Sequence, residues 1–208
     1  MEHPGVVCAA VNDPFMELDY MKYMLTYDTV HGRFAGNIET KYEYGKEYLV
    51  VDGLEVQVVH EKDPVNCAWD KLGVEYVVEA TGVFNTHSKA ELHIRGGAKA
   101  VVMASPSRDN SVPQFVMGVN HDLYQGERIV SNSSCTAHCL APLVKVLDSS
   151  FGIEEGLFTT VHSTTAVQLI VDGPCRGGRD WRLGRSASEN IIPTSMGASK
   201  MLSAVLPE

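Results

Sequence analysis

Cys135 is the residue best placed for covalent chemistry. It lies within Ser131-Asn132-Ser133-Ser134-Cys135-Thr136-Ala137-His138-Cys139. The apolar pair Ile129-Val130 leads in, and Leu140, Leu143, Val144 and Leu147 follow at helical spacing. The serines and Asn132 are natural helix caps, so Cys135 falls where a strand turns into a helix N-terminus. Unpaired N–H groups and the helix dipole there favour an anion, which lowers a thiol pKa and makes the sulfur nucleophilic. The other reading of such a cysteine is a small buried hydrophobe. Cys139, one turn on, is read that way and is expected to face the core.

His162 is the second candidate, crowded by the hydroxyls of Thr160, Ser163, Thr164 and Thr165. An isolated histidine is either structural or a proton carrier, and spacing does not separate the two. Asp13, at the end of an apolar run, is either an N-cap with Pro14 at the first helical position or an acid for a ribose hydroxyl. Arg176, Arg179, Arg182 and Arg185 lie in the long loop opened by Asp172-Gly173-Pro174. They form a solvated or interface loop, or they attract an anion. Cys135, His138 and Cys139 share a helix face, but no second ligand pair lies nearby in sequence, so no metal is expected.

The elements that must position these groups alternate between strand and helix. Val6–Val11 reads as a strand buried on both faces. Leu18, Met21, Met24 and Leu25 follow helical spacing. Tyr48–Val51 and Leu54–His60 flank Asp52-Gly53, a hairpin signal. Glu75–Ala80 is a strand running into the tight turn Thr81-Gly82, at the strand end where α/β sheets bind ligands. A short helix, Ser88–Arg95, is closed by Gly96-Gly97. Lys99–Met103 and Phe115–Met117 read as strands, and Leu157–Val161 as the strand that delivers His162. Ser195–Lys200 begins another helix. This order predicts an α/β chain with a mostly parallel sheet.

The chain has 208 residues, 44% of them hydrophobic and 21% charged, which fits a folded globular chain with room for one or two domains. A net charge of −9 argues against a general nucleic-acid binder. Five scattered cysteines suggest a reducing compartment and not a disulfide scaffold. Met1-Glu2-His3-Pro4 lacks signal-peptide features and no run reaches membrane length, so the expected location is cytoplasmic.

Several motifs resemble glyceraldehyde-3-phosphate dehydrogenase. They are Ser-Asn-Ser-Ser-Cys-Thr-Ala-His-Cys-Leu-Ala-Pro-Leu (131–143), Asn12-Asp13-Pro14-Phe15, Glu79-Ala80-Thr81-Gly82-Val83-Phe84, and Phe115-Val116-Met117-Gly118-Val119-Asn120-His121. Thr159-Thr160-Val161-His162, Val171-Asp172-Gly173-Pro174 and Asn190-Ile191-Ile192-Pro193 complete the set. The resemblance implies an NAD-dependent oxidoreductase of glycolysis with Cys135 as nucleophile and His162 as its base. Glyceraldehyde 3-phosphate and inorganic phosphate are the implied substrates. Ser134, Thr136, Thr165 and the backbone of Gly197 would hold phosphate groups. Asn12, Asp13, Lys62, Thr81, Gly82 and Ala104 would face NAD, with Asp13 at the adenine ribose and Thr81 on the nicotinamide side. It further implies a partial NAD-binding domain over 1–131 and a partial catalytic domain over 132–208. The fold is thus an incomplete Rossmann-like doubly wound sheet followed by the first part of an α+β domain. The family is homotetrameric.

Departures from the family pattern set further expectations. The family's opening strand, Gly-rich phosphate loop and helix have no counterpart here, which should leave two apolar strand edges unpaired or force those strands together. More catalytic-domain strands, a substrate-binding arginine and a last helix would lie past Glu208. Their absence should expose apolar surface. Ala137-His138 replaces a usual Thr-Asn, Met196 replaces a threonine beside Gly197, and Ala104 replaces a serine. The loop Cys175–Asp180 is about two residues longer than usual. The expectation for this chain alone is very weak or no phosphorylating activity. The alternative is a catalytically weak or dead member that associates with full-length subunits.

Overall fold

The apolar run near the start of the chain becomes a strand only where it finds a neighbour. In the computed structural model, which describes residues 5–175, 180–194 and 198–206, β1 is only Ala10–Asn12. It pairs in parallel with β6 (Leu54–Val59), Val11 opposite Val58. Val6 and Val7, expected to be buried on both faces, are 69% and 70% exposed, because no strand flanks them among the described residues.

The first helix, α1, is Leu18–Thr26. Asp13 does not cap it, as the sequence reading allowed. Its Oδ1 instead accepts the N–H groups of Phe15 and Met16, at 2.8 and 3.0 Å, in a local turn that ends before the helix begins. A short ribbon follows, β2 (Tyr27–Asp28) with β3 (Gly32–Arg33), and then β4 (Ile38–Glu43) and β5 (Lys46–Val51). The β5–β6 hairpin turns at Asp52 and Gly53, both left-handed (φ 49° and 83°), as the Asp-Gly pair predicts. The β4–β5 hairpin was not read from sequence. It turns at Tyr44 and Gly45 (φ 50° and 74°), where tyrosine carries no such signal. The sheet order is β1-β6-β5-β4, and only its β1–β6 pair is parallel. Leu18 and Met21 of α1 pack on Ile38, Leu49, Val51, Val56 and Val58.

A second sheet is wholly parallel, in the order β7 (Tyr76–Glu79), β8 (Ala100–Met103), β9 (Ile129–Ser131). The crossover between β7 and β8 is α2, His87–Arg95. Ala90 of α2 packs on Val101, Met103, Val112 and Ile129. The α/β class is as expected, but among the described residues the mostly parallel sheet divides into one mixed and one parallel sheet, beside the β2–β3 ribbon. Among the described residues β1 pairs only with β6 and β7 only with β8, so each presents one free edge. Phe115–Met117, expected as a strand, is not one. A single bridge joins Gln114 to Ser131, and Val116 then enters a turn held by the Asn120 side chain.

Contacts divide the chain into Met1–Phe115 with Leu123–Ser133, and Val116–Asp122 with Ser134–Glu208. The second unit is built on α3, Cys135–Phe151, and α4, Ala198–Val205. Ala137 and Ala141 of α3 share a core with Val116, Val119 and Val205. Lys145 of α3 donates to the carbonyls of Gly118 and Val119, at 3.0 and 2.6 Å, and so ties the 116–122 turn to the helix.

Leu157–Val161 is not a strand, contrary to expectation. A strand needs a neighbour to take its amides, and no described strand pairs with it. Leu157 and Val161 are each 98% exposed, as is Ile191.

Gly97 closes α2 with φ 102°, and a Cβ there would lie 2.5 Å from Asp70 Oδ1 and 2.9 Å from its backbone N. Gly97→Ala should therefore lower the urea midpoint by more than about 1 kcal/mol of stability. An unchanged midpoint would mean that this turn is not constrained.

Candidate active site

Ser133 takes a left-handed conformation, φ 55°, and turns the chain between β9 and α3. Its N–H donates to Ser131 Oγ (3.0 Å), which in turn donates to the Ser105 carbonyl (2.7 Å). Ser134 then takes extended backbone as the N-cap of α3, its Oγ accepting the Ala137 N–H at 3.1 Å. Cys135 is the first residue of the helix, and its side chain is exposed. The expected strand-to-helix placement is what the structure shows.

His162 Nε2 stands 3.2 Å from Cys135 Sγ, although 27 residues separate them. Its Nδ1–H donates to the Ser163 carbonyl at 2.7 Å, which leaves Nε2 to face the sulfur. The hydrogen bond from His162 is the main cause that holds the Cys135 thiol below its usual pKa. Burial opposes it, and the hydroxyl and N–H of Thr136 add to it. The Ser163 carbonyl, followed by Cys135, raises the His162 pKa. The two shifts point the same way, towards a thiolate–imidazolium pair.

Other expected groups lie differently. Cys139 is exposed and does not face the core, because Thr136, Ala137 and Ala141 make the buried face of α3. His138 Nδ1 is held by the Ser134 carbonyl, 3.1 Å away. No cluster of three metal-ligating side chains occurs among the described residues. Thr165 is exposed, its N–H bonded to Gln168 Oε1, and no bond joins it to Cys135 or His162. Met196, Gly197, Arg176 and Arg179 lie outside the described residues. Of the remaining loop arginines, Arg182 forks onto Asp180 (2.9 and 2.8 Å) and Arg185 pairs with Asp172.

In the first unit the cofactor candidates gather at carboxyl ends of strands. Asn12 and the Glu61 backbone exchange two hydrogen bonds, of 3.0 and 2.8 Å, which brings Asn12 and Asp13 beside the segment carrying the exposed Lys62. Thr81 and Gly82 follow β7, and Ala104 follows β8 with its N–H on the Glu79 carbonyl at 2.9 Å.

Sequence reading missed two supports. His60 donates to the Glu47 carboxylate (3.0 Å) and to the Asp13 carbonyl (2.7 Å), and these bonds raise its pKa. Glu79 and His93 are buried against each other, 2.8 Å apart. A carboxylate at an inward position of a strand was the available signal, since such a group needs a partner.

Residues 1–87 match the family model described as glyceraldehyde 3-phosphate dehydrogenase, NAD binding domain, and residues 134–208 match its C-terminal domain. Glyceraldehyde-3-phosphate dehydrogenase 2 of Schizosaccharomyces pombe is 55% identical over 199 residues, 95% of this chain and 57% of that protein. The Citrobacter freundii glyceraldehyde-3-phosphate dehydrogenase is 53% identical over 207 residues, covering 100% and 68%. Glyceraldehyde-3-phosphate dehydrogenase A of Escherichia coli is 55% identical over 199 residues, covering 96% and 58%. The chain thus spans from 57% to 68% of the length of these relatives.

A thiolate held by His162 should label with iodoacetamide at mildly acidic pH, faster than the other four cysteines of the five. His162→Gln should move the midpoint of the pH–rate profile up towards an ordinary thiol, about 8.5. Equal, slow labelling of all five, with an unmoved midpoint, would refute the pairing.

Proposed function

The chain belongs to the glyceraldehyde-3-phosphate dehydrogenase family, and from that membership we propose that it oxidises glyceraldehyde 3-phosphate to an acyl phosphate through a thioester on Cys135. The observation that carries this reading is the 3.2 Å approach of Cys135 Sγ and His162 Nε2 at a helix N-terminus.

The Cys135 thiolate attacks the aldehyde carbon. A C–S bond forms as the C=O π bond breaks, and the oxyanion takes the proton of the His162 imidazolium to become the hydroxyl of a hemithioacetal, which leaves His162 neutral. His162 takes that hydroxyl proton as the C–H bond breaks and a thioester forms. Bound NAD supplies the acceptor for the departing hydride. Phosphate then attacks the thioester carbon, a C–O bond forms, and Cys135 leaves as a thiolate that His162 stabilises. Ser134, Thr136, Thr165 and the Gly197 backbone are the proposed phosphate contacts. The lowered thiol pKa makes both the attack and the departure of Cys135 easier.

The residues at the strand ends suit NAD. Asp13 offers a carboxylate whose Oδ2 is not engaged by the described residues, and Lys62 is exposed two residues beyond His60. Gly82 has φ 70° and open space where a Cβ would stand. With Asn12, Thr81 and Ala104 these are the proposed cofactor contacts. No helix among the described residues is long and apolar enough to cross a membrane, and the proposed location is the cytoplasm.

A second reading rests on exposed apolar side chains. Leu157, Val161 and Ile191, each 98% exposed, favour association with further subunits of this family. Co-elution with a full-length homologue on size exclusion is the expected result, and independent elution would count against it.

The enzymatic reading is tested by NADH formation from NAD, glyceraldehyde 3-phosphate and arsenate. Cys135→Ser should abolish turnover, and His162→Ala should lower it by about 10²–10⁴-fold. Turnover that survives Cys135→Ser would exclude the thioester route. NAD binding by calorimetry tests the cofactor separately.

A further inference from the structure

Below the Thr81-Gly82 turn lies a buried polar chain that the proposed reaction does not use. Glu79 ends β7 with its side chain 2% exposed, and the His93 side chain is 5% exposed. Glu79 Oε2 meets His93 Nε2 at 2.8 Å. The other His93 nitrogen, Nδ1, lies 3.3 Å from Trp69 Nε1. An indole N–H can only donate, so Nδ1 accepts and Nε2 carries the proton given to Glu79. Phe84 packs edge-on against the same ring at 5.7 Å.

The other carboxylate oxygen, Oε1, takes the N–H of Thr81 at 2.7 Å and also its hydroxyl. The Thr81 hydroxyl accepts the Val83 N–H at 3.1 Å. Its proton is therefore spent inward, and a single lone pair remains for anything outside.

We propose that Trp69, His93 and Glu79 form a positioning relay that locks Thr81 as a hydrogen-bond acceptor, so this strand end selects a ligand group that donates a neutral N–H or O–H. On the NAD reading, on which the identity of the ligand rests, that donor is the nicotinamide carboxamide or the neighbouring ribose hydroxyl. The direction is set from the far end of the relay. Trp69 fixes the His93 tautomer, His93 occupies Oε2, and Oε1 is left to take both Thr81 donors. Burial tends to raise the Glu79 pKa, but the bonds from His93 and Thr81 outweigh it and leave the carboxyl below its usual value. An ionised, acceptor-only Glu79 is what the relay requires.

Glu79→Gln breaks the relay at its centre. The amide oxygen must face His93 Nε2–H, because the ring cannot turn over without setting two donors, Trp69 and Nδ1–H, against each other. The amide NH₂ then faces Thr81, where it loses the bond from the backbone N–H and turns the hydroxyl proton outward. Binding of NAD, ADP-ribose and AMP to wild type and Glu79→Gln should be followed by NMR titration. The expected result is NAD binding weakened about fivefold to twentyfold with AMP unchanged. ADP-ribose weakened alongside NAD identifies the ribose hydroxyl as the donor, and ADP-ribose unchanged identifies the carboxamide. AMP weakened equally would mean general damage to the unit and would overturn the proposal, as would unchanged NAD binding. The His93 ring ¹⁵N shifts in the wild-type chain at neutral pH give an independent readout that needs no variant to fold. The Nε2–H tautomer supports the relay, and the Nδ1–H or doubly protonated ring refutes it. If wild type binds neither NAD nor ADP-ribose, the cofactor reading fails, and these shifts alone decide whether the relay stands.

Discussion

A thiol becomes useful at neutral pH only if something nearby prefers its anion. Here that something is an imidazole 3.2 Å away, whose other nitrogen is pinned to the Ser163 carbonyl. The contact joins the first residue of α3 to a segment with no regular structure. Its geometry on the helix side is held by the Ser134 cap and by the left-handed turn at Ser133. At that helix start the Thr136 N–H, the helix dipole and the histidine all act on the same sulfur.

Backbone pairing governs the rest. A strand forms where its amides find partners, and apolar content alone does not supply them. Val6 and Val7 are as apolar as Val11, yet only the stretch opposite β6 becomes β1. The same rule leaves Leu157–Val161 irregular and exposed. Among the described residues it also separates β1 and β7, each with a free edge, in place of one continuous sheet.

Buried polar groups follow a parallel logic. Glu79 and His93 could not lie so far from solvent singly, and together with Trp69 and Thr81 they satisfy one another. The result is a rigid support under an exposed turn. His60 supports the Asp13 backbone similarly, though from the surface. In both places a neighbouring side chain holds a residue proposed above as a cofactor contact.

Local chemistry determined much of this protein from sequence. Asp52-Gly53 specifies its hairpin, Gly96-Gly97 ends α2, and Ser134 before a helical pattern places Cys135 at an N-terminus. Each depends on side chains within a few residues, and so each was legible, as was the family through its motifs. What needed tertiary structure was everything decided by a distant partner. Spacing could not separate a structural His162 from one facing Cys135, nor show that Cys139 turns outward while Ala137 and Ala141 face the core. The β4–β5 hairpin hid behind a tyrosine in a left-handed turn. The tautomer of His93 depends on an indole 24 residues away. Periodicity records which residues prefer burial or exposure, whereas a hydrogen bond across the fold depends on where two backbones come together, and only the folded chain decides that.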